Sequence, residues 1–317
     1  MKRIITYIPS LIISVLLVFV FLITSLVSVV FINFRSEKCI ELVHANDIGS
    51  KILSETEKYY KTRYNTTGIP AEVYTSALDE DYIYSVTEEY IKKGFEYVLD
   101  QNSEKVQSFR VYFPWEDDYS ESIGKVLIPK NERLEKNIED FYNDYAESIG
   151  YEKDELFEKK LSNAKSEAYK VISGYCDVYK ISALGSHGVL RKIQTVYGQG
   201  KPLMYVTALT ALSVILLLIL FLVNIKEKKP FMYWFGISAI ISGIFGIVPC
   251  IWLLSENYFS RFSIKQASVF TSFTSSFRNF TEAFLAVQIA CTALGIALVI
   301  IYAIVSGKDK SVKPTDI

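Results

Sequence analysis

Four stretches of this chain carry no charged residue: 4–32 (IITYIPSLIISVLLVFVFLITSLVSVVFI), 202–225 (PLMYVTALTALSVILLLILFLVNI), 230–255 (PFMYWFGISAIISGIFGIVPCIWLLS) and 283–306 (AFLAVQIACTALGIALVIIYAIVS). Each exceeds the roughly 20 apolar residues that an α-helix needs to cross about 30 Å of hydrocarbon. Backbone in lipid must satisfy its own hydrogen bonds, so runs of this kind cross as helices. The pattern predicts four transmembrane helices. The first run is longer than the roughly 7–15 apolar residues of a secretory signal and reads as an uncleaved signal anchor.

Between the first two runs the pattern changes. Ile40, Val43, Ile48 and Ile52 recur near helical spacing among charged residues, so helix one is expected to continue as a stalk. NTTGIP at 65–70 stops it, because Gly and Pro punctuate and the residue before Pro is driven from the α region. Asp79 is placed to cap a helix reaching Tyr97, whose apolar side carries Tyr82, Ile83, Val86, Tyr90 and Ile91. VQSFRVYF at 106–113 alternates, GKVLIP at 124–129 is a second short β-like run, and turn-like PWEDDYSES lies between them, a pattern consistent with a small hairpin. Helical spacing returns over 131–149 and 153–173. Glycines at 185, 188, 198 and 200 predict an irregular entry into the second span.

The last polar gap holds VFTSFTSSFRNFTEAF at 269–284, with phenylalanines at steps of three and four: Phe270, Phe273, Phe277, Phe280 and Phe284. That alternation is the seam spacing of packed helices. Burying five Phe would contribute on the order of 7–15 kcal/mol before ordering costs, so something covers them. A flat interfacial helix would be richer in Lys and Arg on its polar face, and here the stripe has only Arg278. The expectation is that helix four extends beyond the membrane and packs its stripe on Ile40, Val43, Ile48 and Ile52.

Charge sets the expected orientation. Lys2 and Arg3 precede the first run, Lys226, Lys228 and Lys229 fill the turn between the second and third, and Lys308, Lys310 and Lys313 follow the fourth. By the positive-inside rule all three positions are cytoplasmic. The fold class expected is therefore a mainly α membrane protein of the plasma membrane, with four transmembrane helices and both termini inside. A mostly α-helical extracytoplasmic domain is inserted between helices one and two. The segments run 1–32 (N-terminus and first helix), 33–201 (outer domain), 202–225, 226–229 (cytoplasmic turn), 230–255, 256–282 (outer helical extension), 283–306 and 307–317 (tail). Residues 33–200 hold 22 Lys and Arg against 30 Asp and Glu. That acidity argues against nucleic acid as a partner and against charge-driven docking on anionic lipid.

Candidate chemistry is sparse. Cys39 and Cys176 fall in the outer domain, where an exported location permits a disulfide if the backbone allows it. No CxxC pair is present, and neither His44 nor His187 has a His or Cys at metal spacing. Glu116, Asp117 and Asp118 lack the Gly and terminal Glu of a calcium loop. GxSxG, Walker, HExxH and GxGxxG motifs are absent, and SHG at 186–188 stands without a triad context. The chain is therefore not expected to be an enzyme or to hold a cofactor. Gln288 is the most polar residue well inside helix four, and no charge within the apolar runs marks an ion route. Gly236, Ala239, Ser242, Gly243 and Gly246 form small-residue pairs that permit close helix approach, within the bundle or in a dimer, and Pro249 is expected to kink the third helix.

TTGIPAEVY at 66–74, followed by the acidic DED at 79–81, resembles a set of uncharacterised bacterial membrane proteins with four helices and a helical extracytoplasmic domain. The layout as a whole, one helix, a large outer domain, then three helices, resembles FtsX/MacB-type ABC permeases. Three functions follow as expectations. One is a non-enzymatic surface protein that presents a sensing or interaction domain to an unidentified ligand. Another, implied by the permease resemblance, is a transport subunit relaying motion from a cytoplasmic ATPase. The third is binding of lipid or another hydrophobic ligand at the phenylalanine stripe. The expected partners are the lipid bilayer and either another membrane protein or a second copy.

Overall fold

A computed structural model describes residues 2–99, 109–117, 119–225 and 229–308. It is 80% helical, and four of its helices are long and apolar enough to span a membrane. The chain divides into two compact units.

The first unit comprises residues 1–34, 200–261 and 277–317. Its helices are α1 (Lys2–Asn33), α10 (Lys201–Val223), α11 (Lys229–Ser255) and the later part of α12 (Ala267–Lys308). Ile13 and Leu17 of α1 pack with Leu220 of α10 and Trp234 of α11. Val29, Cys250 and Phe284 form a second small cluster. Most large apolar side chains of this unit point outward, among them Phe19, Leu218, Phe245 and Ile300. Its interior instead holds Ser10, Ser14, Ser238, Ser242 and Gln288. The hydroxyls of Ser14 and Ser238 lie 2.6 Å apart, and Asn224 Nδ2 donates to Ser10 Oγ at 3.0 Å. This is how helices associate in lipid, where apolar contact offers no advantage over lipid tails and small or hydrogen-bonding residues join the helices.

The second unit comprises residues 35–199 and 262–276. It contains α2 (Ser36–Ala45), α3 (Ile48–Thr67), α4 (Ala71–Thr75), α5 (Glu80–Leu99), α6 (Glu132–Ile149), α7 (Glu155–Cys176), α8 (Ile181–Ser186) and α9 (Val189–Tyr197). Strands β1 (Arg110–Tyr112) and β2 (Lys125–Leu127) complete it, with the first turns of α12. Its core is made of large side chains: Ile48, Ile52, Ile83, Ile91, Ile128, Leu134, Ile138, Tyr169 and Ile172 are fully buried. Side-chain caps start three of its helices. Asp79 Oδ1 accepts from Tyr82 N at 2.8 Å, Asn131 Oδ1 from Leu134 N at 2.9 Å and Asp154 Oδ1 from Phe157 N at 2.8 Å. Each satisfies an amide that the helix itself leaves open, worth about 1 kcal/mol. Gly68 closes α3 at a φ of 70°, a conformation only glycine adopts without strain.

Three local expectations are corrected. The stalk is not a continuation of the first span: α1 stops at Asn33, whose Nδ2 donates to Val29 O at 2.9 Å, and Arg35 is extended. The chain breaks again between α2 and α3, where Asp47 takes a φ of 52°. The two β-like runs do pair, but parallel, with Arg110 opposite Lys125 and Tyr112 opposite Leu127. A hairpin needs only a tight turn, whereas the residues between β1 and β2 number about a dozen, enough to carry the chain back for parallel pairing. Residues 106–108 of the alternating run, and Asp118, lie outside the described residues. The segment expected to be irregular at 185–202 is mostly helical, because Gly188 and Gly200 stand just before α9 and α10 with positive φ rather than breaking them.

Candidate functional site

The segment 262–276 is held within the second unit by an unusually polar set of side chains. α12 begins at Ala267, and its first amides need partners that the helix cannot supply. Glu55, on α3, supplies them. Its Oε1 accepts from the amides of Ala267 and Ser268, the latter at 3.3 Å, and its Oε2 accepts from Ser268 Oγ at 2.6 Å. A carboxylate at a helix N-terminus is favoured by both the charge-assisted bonds and the helix dipole. One residue earlier, Gln266 Nε2 donates to Tyr175 O at 3.3 Å, and Gln266 Oε1 accepts from Lys180 Nζ at 3.1 Å. Two turns further on, the hydroxyls of Tyr179 and Ser276 are 2.9 Å apart, and the Tyr179 ring meets Phe273 edge-on at 5.6 Å.

The turn that carries Tyr179 and Lys180 is itself fixed. Asp177 is buried and accepts from Ile181 N at 2.6 Å, from Ser182 N at 3.0 Å and from the Ser182 hydroxyl. Burial pushes its carboxyl up from the ordinary value, and the Ser182 and backbone bonds pull it back. Lys180 takes a φ of 54°, which starts α8 and turns its side chain to Gln266 and to Gly174 O. Burial likewise raises the Tyr179 hydroxyl, which keeps it protonated and available as a donor.

The expected seam residues divide. Val43, Ile48 and Ile52 are buried in the large core, with Ile40 packed against it; among the described residues no stripe phenylalanine belongs to that core. Phe270 and Phe273 are half-buried in the second unit. Phe277, in the first unit, is 46% exposed, while Phe284 packs on Val29 and Cys250 with Phe280 against them. The buried positions at the start of α12 are Ser268, Val269 and Ser272. Ser268, Ser272 and Ser276 recur every four residues, a signal legible in SVFTSFTSSF beside the more conspicuous phenylalanines.

Cys39 and Cys176 are free thiols, both buried, so the disulfide allowed by their location is not formed. Each sulfur has another neighbour: the Tyr179 hydroxyl for Cys39 and the Thr87 hydroxyl for Cys176. Burial raises the two thiols to about 11 and about 12 respectively. The small residues of α11 lie against α12 of the same chain. A Cβ on Gly236 would stand 2.8 Å from Gly295 O, one on Gly295 would stand 2.7 Å from Gly236 O, and Gly243 faces Thr292. Cys291 Sγ reaches Ala239 O at 3.6 Å, and Ser242 is fully buried. Gly246 leaves the space that the Gln288 side chain fills. Gln288 Nε2 donates to Ser25 Oγ at 2.6 Å, while among the described residues its Oε1 and the Ser242 hydroxyl have no hydrogen-bond partner.

No group of His, Cys, Asp and Glu able to hold a metal is present among the described residues. His44 lies 3.0 Å from Glu88 and stacks on Tyr84. His187 Nδ1 lies 2.8 Å from Ala183 O, a contact that takes up its N–H. No family model, curated protein or solved structure matches this chain.

Proposed function

We propose that this is a non-enzymatic integral membrane protein that presents a sensing or interaction domain outside the plasma membrane of a bacterial cell. The unit of 35–199 with 262–276 is that domain, inserted in sequence between the first and second membrane helices, and both termini are cytoplasmic. The observation that carries the reading is the course of α12. One unbroken helix, Ala267–Lys308, gives its first turns to the polar-surfaced unit and its remainder to the apolar one. A change at Glu55, Tyr175, Tyr179 or Lys180, the residues that grip the start of α12, acts directly on an element that continues into the membrane-crossing unit. The basic clusters at the three expected cytoplasmic positions support the orientation.

Cysteine accessibility tests it. Ser162 is exposed on α7, and a Ser162→Cys protein should react in intact cells with a membrane-impermeant maleimide. Lys313→Cys should react only after permeabilisation. The reverse pattern would overturn the orientation. A cytoplasmic ATPase recovered in stoichiometric amount with the purified chain would replace the sensing reading with the transport one.

A further inference from the structure

Aromatic side chains gather at two levels of the apolar unit. At one end Tyr7 meets Trp234 at 5.2 Å, and Tyr233 meets Tyr302 at 5.3 Å. At the other end Trp252 meets Tyr258 at 5.6 Å, and Phe259 stacks on Phe277 at 5.9 Å. Along α11, Tyr233 and Trp252 are separated by about 28 Å at 1.5 Å per residue, close to the ~30 Å of a bilayer's hydrocarbon core. Ile241, Ile244, Phe245, Val248 and Ile251 lie between them on the same helix, all exposed and all apolar. Charge begins where the second cluster stands: Glu256 pairs with Arg261 at 2.9 Å and Arg278 pairs with Glu282 at 2.8 Å. Below Glu282, the uncharged stretch from Ala283 to Tyr302 again measures about 28 Å.

We propose that Trp252, Tyr258, Phe259 and Phe277 form a docking surface for the glycerophospholipid headgroup layer, and so mark one boundary of the bilayer on this protein. This rests on the membrane-spanning reading given above and adds a depth to it. Trp and Tyr gather at this level because their rings suit the acyl boundary while their polar atoms reach water. Arg261 and Arg278 are exposed, and surface ion pairs of this kind are weak enough to exchange a carboxylate for a lipid phosphate. The partial exposure of Phe277 then has a cause: the part of its ring that Phe259 and the rest of the chain leave open faces lipid.

The chain has three tryptophans, so Trp115→Phe with Trp234→Phe leaves Trp252 as the sole indole. The full-length double variant is placed in phosphatidylcholine vesicles brominated either near the headgroup end of the acyl chain or near its terminal methyl. An interfacial Trp252 should be quenched roughly twofold more by the shallow bromines. If the double variant does not fold, the difference in quenching between the unaltered chain and Trp252→Phe isolates the same indole. Stronger quenching by deep bromines, or quenching of Trp234 without Trp252, overturns this inference and leaves the membrane reading intact. Absence of quenching at both indoles overturns the two together. Neither result depends on which side of the membrane the large domain faces.

Discussion

The two units of this chain are built on opposite rules. The unit of 35–199 and 262–276 buries isoleucine, leucine and tyrosine and exposes charge. The apolar unit buries serine, glycine and one glutamine beside a few large side chains such as Leu17 and Leu220, and leaves most of its isoleucine, leucine and phenylalanine exposed. Water explains the first: each large side chain removed from it gains about 1.5–3 kcal/mol. In lipid that gain vanishes between helices, and what remains is close backbone approach plus hydrogen bonds that must not be left open. Residue size therefore has opposite meanings in the two halves of one sequence.

Substitutions of opposite sense should separate the two rules. Truncating Ile172→Ala opens a cavity in a core where Ile172 is almost wholly buried, and should destabilise that unit by about 2–5 kcal/mol, read as faster hydrogen exchange along α7. Enlarging Gly246→Leu drives a side chain into Gln288, and should cost about 1–3 kcal/mol or more, seen as a lowered thermal midpoint in detergent. The mirror-image truncation Phe245→Ala, on the exposed side of α11, should leave that midpoint nearly unchanged; an equal drop would erase the contrast. Glu55→Ala leaves the first amides of α12 without their acceptor and should cost about 1–3 kcal/mol, with loss of exchange protection confined to 267–270 and partial recovery in Glu55→Gln.

A further effect is a pH dependence confined to alkaline solution. Burial raises Cys39 from 9.0 to about 11 and Cys176 from 9.0 to about 12. The folded chain therefore keeps two protons that the unfolded chain releases above pH 9. Their contribution to stability is complete below pH 9 and declines as pH climbs through 11 to 12. Denaturant midpoints measured from pH 8 to 11 should fall for the native chain and fall less for Cys39→Ser with Cys176→Ser.

Much of this architecture was legible in the sequence, and what was missed shares a cause. The four spans follow from runs without charge, the start of α5 from periodicity and its Asp79 cap, and the starts of α6 and α7 from periodicity alone, all local signals. The parallel pairing of β1 and β2 depends on where the intervening loop returns, which alternation does not encode. The break after Asn46 gave no glycine or proline to announce it; Asp47 adopts the left-handed conformation without either. Most distant of all was Glu55: a glutamate on a helix that, by sequence, is one of many charged surface residues. Its role depends on amides that lie 212 and 213 residues away. The phenylalanine stripe drew attention by hydrophobicity, whereas the buried start of α12 is marked by serine.

That separation has a consequence in the order of synthesis. When Glu55 is added to the growing chain, Ser268 is still 213 residues from being made. At about 5–20 residues per second the interval is roughly 10–40 s. Within it the chain must produce α10 and α11, two of the helices long and apolar enough to cross a membrane, before the last part of the second unit exists. The domain therefore waits, nearly complete, with the carboxylate of Glu55 and the Tyr175 carbonyl still solvated. A chain truncated before residue 262 and bearing Glu55→Cys should react readily with a maleimide, and the full chain with the same substitution should react more slowly, because the start of α12 covers that position.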